Sequence, residues 1–225
     1  MTKLRPELKD LPARMACLPV DPRGYPIPAF VETLPDGTRD FRVMSGEHWR
    51  RCVKERRCWV CGMRLGANLA FVIGPMCAVN RTTSEPPCHR ECAEWSAKNC
   101  PFLARPHMIR REDEFTDSFM ENSAGCPIRR NPGVALVWIT RSYEIWRDDK
   151  GRPLIEIGDP VAVTWWAEGR PATRAEVEES IRTGMPLLEE MARQEEGAME
   201  DLLRKRAAID ALLPAEAGMA AADKR

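Results

Sequence analysis

Histidine is scarce in this chain. There are three in 225 residues, His48, His89 and His107, which leaves few candidates for acid–base or metal-assisted catalysis. No glycine-rich phosphate loop is present, and no serine lies in a Gly-x-Ser-x-Gly setting. The deaminase order, His-x-Glu and then Pro-Cys-x-x-Cys, is missing too. Pro87-Cys88-His89-Arg90-Glu91-Cys92 has a different order and spacing. No apolar run approaches the length of a membrane span, and the N-terminus, MTKLRPELKDLPARMACLPV, lacks the apolar core of a signal peptide. The chain therefore reads as cytoplasmic, with no membrane partner. Net charge is absent as well: 34 Lys plus Arg balance 34 Asp plus Glu, unlike a strongly basic, dedicated nucleic-acid binder. Apolar residues are not lacking. At 44% hydrophobic and 30% charged, the chain can bury a core and is not disordered throughout.

Cysteine, by contrast, is plentiful: nine residues, an odd number. In a reducing compartment that pattern favours metal over disulfides. The stretch from Cys58 to Leu103 concentrates the signal. It opens with Cys58-x2-Cys61, and after 27 intervening residues comes His89-x2-Cys92. Two thiolates two residues apart can share one cation, and Gly62 permits the tight turn of such a knuckle. Pro86 and Pro87 fit a helix start, so His89 and Cys92, three apart, share a helical face. Leu69 to Ile73 reads as a strand closed by Gly74-Pro75. Knuckle, strand and helix-borne pair follow the order of a treble-clef finger. With all four ligands from protein, the expected zinc site is structural rather than catalytic. Cys88 is an alternate to His89, since it lies four residues before Cys92. The blander reading is a set of reduced thiols packed as small hydrophobes. Cys52, Cys77, Cys100 and Cys126 have no paired spacing and suggest no second site.

Cys58-x-x-Cys61-Gly62, Ala70-Phe71-x-x-Gly74-Pro75, Pro86-Pro87-x-His89-x-x-Cys92 and Cys100-Pro101-Phe102-Leu103 together resemble an uncharacterised family of bacteriophage, prophage and bacterial proteins. Leu18 to Asp21 and Gly24 to Pro26 extend the resemblance on one side. Arg129 to Gly133 and Gly169 to Thr173 extend it on the other, so it covers roughly residues 18 to 190. The resemblance implies His89 rather than Cys88 as ligand and a bacterial host cell as the setting. It implies no activity.

The expected fold is α+β: a treble-clef-like zinc finger with a small antiparallel sheet and a helical C-terminus. Residues 1–24 read as an irregular lead-in and 25–57 as a hairpin plus helix. Asp36-Gly37 marks the hairpin turn. Ser45 is the expected N-cap of a helix running to about Arg57, with Trp49, Cys52 and Val53 inward. Residues 58–103 form the zinc module and 104–132 a connection. In 133–170, strands are expected from Gly133 to Arg141, Leu154 to Ile157 and Val161 to Trp166, in one sheet that could include the hairpin. Val161, Val163 and Trp165 should share a buried face, with Trp166 opposite, under a helix. In 171–213, Thr173 to Glu176 has the form of a capping box. Gly184 and Pro186 are expected to end one helix and begin another. Those helices would pack on the sheet or pair two copies of the chain. Residues 214–225 read as a frayed tail.

Three functional readings emerge. The first is a structural-zinc protein that acts through contact with another macromolecule, an unidentified protein partner included. The second is a nucleic-acid binder using Arg50, Arg51, Lys54, Arg56 and Arg57, the densest basic cluster. Residues 42 to 130 hold 15 Lys plus Arg against 10 Asp plus Glu, and 171 to 225 hold 8 against 12. Charge runs are more often solvated helix faces. Trp59 and Trp95 could stack on bases, although a small zinc domain needs aromatics for its core. The third is a divergent treble-clef nuclease, for which Asn80 and His107 are the spare polar candidates.

Overall fold

The computed structural model describes residues 3–104 and 131–216. His107, Cys126, most of the expected connection and most of the expected tail therefore lie outside the described residues. Local signals set the first elements. Asp36 Oδ1 accepts from the backbone N–H and hydroxyl of Thr38 at 2.9 and 2.6 Å, and Gly37 takes φ +82°. That turn joins β1 (Val31–Thr33) to β2 (Arg39–Met44) as an antiparallel pair. The Ser45 hydroxyl then accepts from the His48 N–H at 3.3 Å and starts α1 (Gly46–Glu55). The helix stops short of Arg57. Arg56 adopts a left-handed φ of 51°, and the Arg57 N–H returns to the Cys52 carbonyl at 3.0 Å, a Schellman-type ending. Cys52 is buried on α1, whereas Trp49 and Val53 are half-buried.

β3 (Leu69–Ile73) is the expected strand. The short helix α2 (Pro75–Asn80), strand β4 (Thr82–Thr83), α3 (Arg90–Asn99) and the single turn α4 (Pro101–Ala104) follow. Beyond the gap come β5 (Ala135–Thr140), β6 (Tyr143–Arg147), β7 (Pro153–Ile157), β8 (Pro160–Ala167) and β9 (Arg170–Pro171). The fold is thus α+β with small antiparallel sheets. There are three sheets among the described residues rather than one: β1-β2, β3-β5-β8-β9 and β4-β7-β6. The hairpin forms a two-stranded sheet of its own, with Val31 against Met44. β5 is buried along its whole length, with α3 against β3, β5 and β8.

β8 corrects one expectation. Val161 is 54% exposed, and only the far end of the strand, at Trp165 and Ala167, is buried. The buried face begins where the Trp165 indole donates to the Leu212 carbonyl at 2.8 Å. Trp166 points the other way, lining a cleft with Trp95, Glu91 and Lys98 of α3.

The capping box is present in both directions: Glu176 N–H to the Thr173 hydroxyl, and Thr173 N–H to the Glu176 carboxylate. It starts α5 (Arg174–Ala192), which runs straight through Gly184 and Pro186. Gly184 ends nothing; it lies against α2. A Cβ there would meet Met76 Sδ at 2.7 Å, so the glycine serves close packing. Buried Val177, Ile181, Met185 and Leu188 hold the helix together across the proline. The break comes at Gly197, with φ 77°, which begins α6 (Ala198–Asp210). α5 and α6 pack on α2 and on each other. No described helix is long and apolar enough to cross a membrane.

Candidate metal centre

Four donors converge between the knuckle and the start of α3. The sulfurs of Cys58, Cys61 and Cys92 and a ring nitrogen of His89 all lie within 4.8 Å of one another, and all four residues are buried. Backbone pairing creates this arrangement. The Arg57–Arg64 bridge closes the knuckle, Cys58 N–H donates to the Met63 carbonyl at 2.7 Å, and Gly62 supplies φ +74°. The second pair is fixed from the other side. Cys88 N–H and carbonyl both pair with Ala70 of β3, at 2.7 and 3.0 Å. Trp59 N–H donates to the Pro87 carbonyl at 3.0 Å and ties the knuckle to the same segment. His89 is the N-cap residue of α3, and Cys92 sits in its first turn.

The polarity of the centre is set for a cation. His89 Nε2–H donates to the Arg64 carbonyl at 3.0 Å, which leaves the Nδ1 lone pair facing Cys61 at 3.3 Å and Cys92 at 3.9 Å. Orientation of a ligating imidazole through its other nitrogen is a usual feature of metal sites. Cys58 Sγ accepts the Cys61 and His89 backbone N–H groups, each at 3.4 Å. Thiol donors from Cys61, Cys88 and Cys92 add to these and hold Cys58 far below the usual thiol range. Donating to Cys58 pushes Cys61 up to about 11 and raises Cys92 and Cys88 strongly. The group could hold a metal ion.

Cys88 is buried beside this group and within hydrogen-bonding reach of Cys58, but its sulfur is not one of the four clustered donors. Asn80 is the last residue of α2. Trp59 is 2% exposed and lies between Phe30, stacked at 5.0 Å, and His48, stacked at 5.4 Å. Trp95 is buried, with its indole donating to the Lys9 carbonyl at 3.0 Å. Both are core residues, so neither is free to stack on a base. Among the described residues, Trp59 Nε1 has no hydrogen-bond partner.

Of the basic cluster, Arg50, Arg51, Lys54 and Arg56 are exposed and Arg57 is half-buried. Arg57 pairs with Glu55 at 2.6 Å and donates to the Gly62 carbonyl at 3.2 Å, which braces the knuckle. Arg51 approaches Glu55 at 3.8 Å. Arg56 donates to the Gly66 carbonyl at 3.3 Å.

Two contributors escape a reading by ligand spacing. The Arg64 carbonyl is a backbone group, with no residue-type signal. His48 sits next to the centre, its Nε2 3.3 Å from the buried Cys52 sulfur and 3.2 Å from the Trp59 carbonyl. Its four-residue spacing from Cys52 on one helix was the only signal available. Burial lowers the His48 pKa and pushes Cys52 up to about 12. Compared with known protein families, characterised proteins and solved structures, the chain matches none.

Proposed function

We propose that Cys58, Cys61, His89 and Cys92 hold a zinc ion in a treble-clef-like finger. On this reading the protein is a structural-zinc binding module of the phage and prophage kind its motifs resemble, working through contact with another macromolecule rather than catalysis. The observation that carries it is the buried donor set with His89 already oriented by Arg64. Three thiolates and one imidazole suit zinc. With Zn–S about 2.3 Å and Zn–N about 2.0 Å, a tetrahedron has S···N edges of about 3.5 Å. The two sulfur–nitrogen separations, 3.3 and 3.9 Å, bracket that value. Zinc bound by four protein donors supplies a cross-link, not an open Lewis-acid position. The chain's own part is to screen the sulfurs with backbone N–H groups and to exclude water by burial.

The order of knuckle, β3 and α3-borne pair supports the treble-clef reading, with α2 and β4 inserted between strand and helix. The nuclease reading draws no comparable support. His89 is clustered with the three cysteines, which supports its use as a structural ligand.

Cobalt substitution tests this proposal. One equivalent of Co(II) should give intense visible bands of a tetrahedral site together with thiolate charge-transfer absorption. Cys92→Ser should weaken the charge-transfer band. A weak six-coordinate spectrum, or no uptake by reduced protein, would contradict the assignment.

A further inference from the structure

Most arginines in this protein are neutralised by a carboxylate alongside. Arg14 pairs with Glu91 at 2.7 Å, Arg81 with Asp159 at 2.9 Å and Arg174 with Glu178 at 2.8 Å. The surface around the knuckle departs from this pattern. Among the described residues, Arg50, Lys54, Arg56 and Arg64 have no carboxylate within 4.0 Å, and all four are exposed. Arg50 and Lys54, four apart, share a face of α1. Arg56 caps that helix and reaches over to Gly66, and the Arg57–Arg64 bridge brings Arg64 to the same end. The loop from Met63 to Asn68 contains no acid. Within residues 46–68, six cations stand against two carboxylates, Glu47 and Glu55, and Arg51 and Arg57 both draw on Glu55.

We propose that this surface binds the phosphate backbone of nucleic acid, without sequence preference, through Arg50, Lys54, Arg56 and Arg64. The proposal deepens the binding-module reading and rests on it, because the His89–Arg64 hydrogen bond ties the loop that carries Arg64 to the donor set. Phosphates suit the surface for three reasons. Arg50 and Lys54 stand about 6 Å apart along α1 at 1.5 Å per residue, and Arg56 and Arg64 lie at and beyond its end, so the cations present a row rather than a pocket. Met63 is the one large apolar side chain exposed on α1 or the knuckle loop, too little to enter a bilayer. Protein interfaces are anchored by aromatic or aliphatic side chains, and here Trp59 is buried beneath.

Fluorescence anisotropy of the metal-loaded full chain, with labelled duplex and single-stranded oligonucleotides of unrelated sequence, tests it. Four phosphate contacts predict a log–log salt slope of about −3 to −4, so binding should weaken about 100-fold between about 50 and 200 mM salt. Replacing Arg50, Lys54, Arg56 and Arg64 by Ala together should cost at least about tenfold and flatten the slope. A control lacking Arg182, Arg193, Arg204 and Arg206, equal in charge removed, should stay close to wild type. Equal losses in both variants, or no binding at low salt by folded, zinc-loaded protein, would overturn the proposal. So would preferential binding of anionic vesicles or polyglutamate at matched salt. Zinc measured on the same samples separates the two proposals. A folded, metal-free binder sinks the zinc reading alone, and a zinc-loaded non-binder sinks this one alone.

Discussion

The knuckle end and the C-terminal helices are held together by different means. α5 and α6 follow local rules. A capping box opens α5, and apolar residues at helical spacing face α2. Ion pairs three and four apart, such as Arg174–Glu178 and Arg206–Asp210, cover the outer surface. The knuckle has few such supports. Its turn residues, its cysteines and His89 gather polar groups inward, and among the described residues Arg50, Lys54, Arg56 and Arg64 have no carboxylate alongside. A surface neutralised by its own neighbours needs nothing else. A centre of buried donors could hold a metal ion; as proposed, that metal sits inside and an anion lies on the basic face outside.

This contrast can be broken most directly at the centre. Cys92→Ala, or chelation of the wild type, should unfold the knuckle and α3 and loosen the β3-β5 pairing. Structural zinc contributes roughly 10 kcal/mol or more in small fingers, comparable to the whole stability of a domain. Thermal unfolding with and without chelator reads this out; an unchanged midpoint would place the metal outside the folding energetics.

At the other end, effects should be smaller and local. Gly184→Ala gains up to about 1 kcal/mol of helix propensity. It also forces a methyl into Met76, whose Cγ, Sδ and Cε all lie within 3.0 Å of the new Cβ. Overpacking of that kind costs about 1–3 kcal/mol, so a net loss of about 1 kcal/mol is expected. Truncating Met76 as well should recover part of it. Additive losses in a double-mutant cycle would show that the contact is not the cause.

The smallest effect concerns Glu176. Its carboxyl is held down at about 2 by Arg170 and by the capping bonds of Thr173. A depressed folded pKa stabilises above the unfolded value and is lost as pH falls through the folded one. Glu176→Gln should therefore cost up to about 1 kcal/mol near neutral pH, given the solvent exposure of the pair. The difference from wild type should close between pH 4.5 and about 2. A constant difference in urea melts across that range would assign the cost to shape rather than charge.

What was legible in the sequence had local physical causes. Asp36-Gly37, the Ser45 cap, Leu69 to Ile73 and the Thr173–Glu176 box each carry their signal within a few residues. The four clustered donors were legible for the same reason, as two short spacings. What escaped depends on distant partners. Gly184 and Pro186 read as a break, but α2 packs against the first and keeps α5 whole. Separation of the sheets follows from long-range pairings such as Thr83 with Ile155. β6 gave little signal because Ile145 and Trp146, on opposite faces, are both exposed. Arg64 could not be singled out, since it acts on His89 through its backbone.

The most direct test is zinc per chain in freshly reduced protein, for wild type, His89→Ala and Cys88→Ala. About one zinc in wild type and in Cys88→Ala, with loss in His89→Ala, is the expected result for a four-donor structural site. No zinc in the wild type, or loss only with Cys88→Ala, would contradict the proposed ligand set.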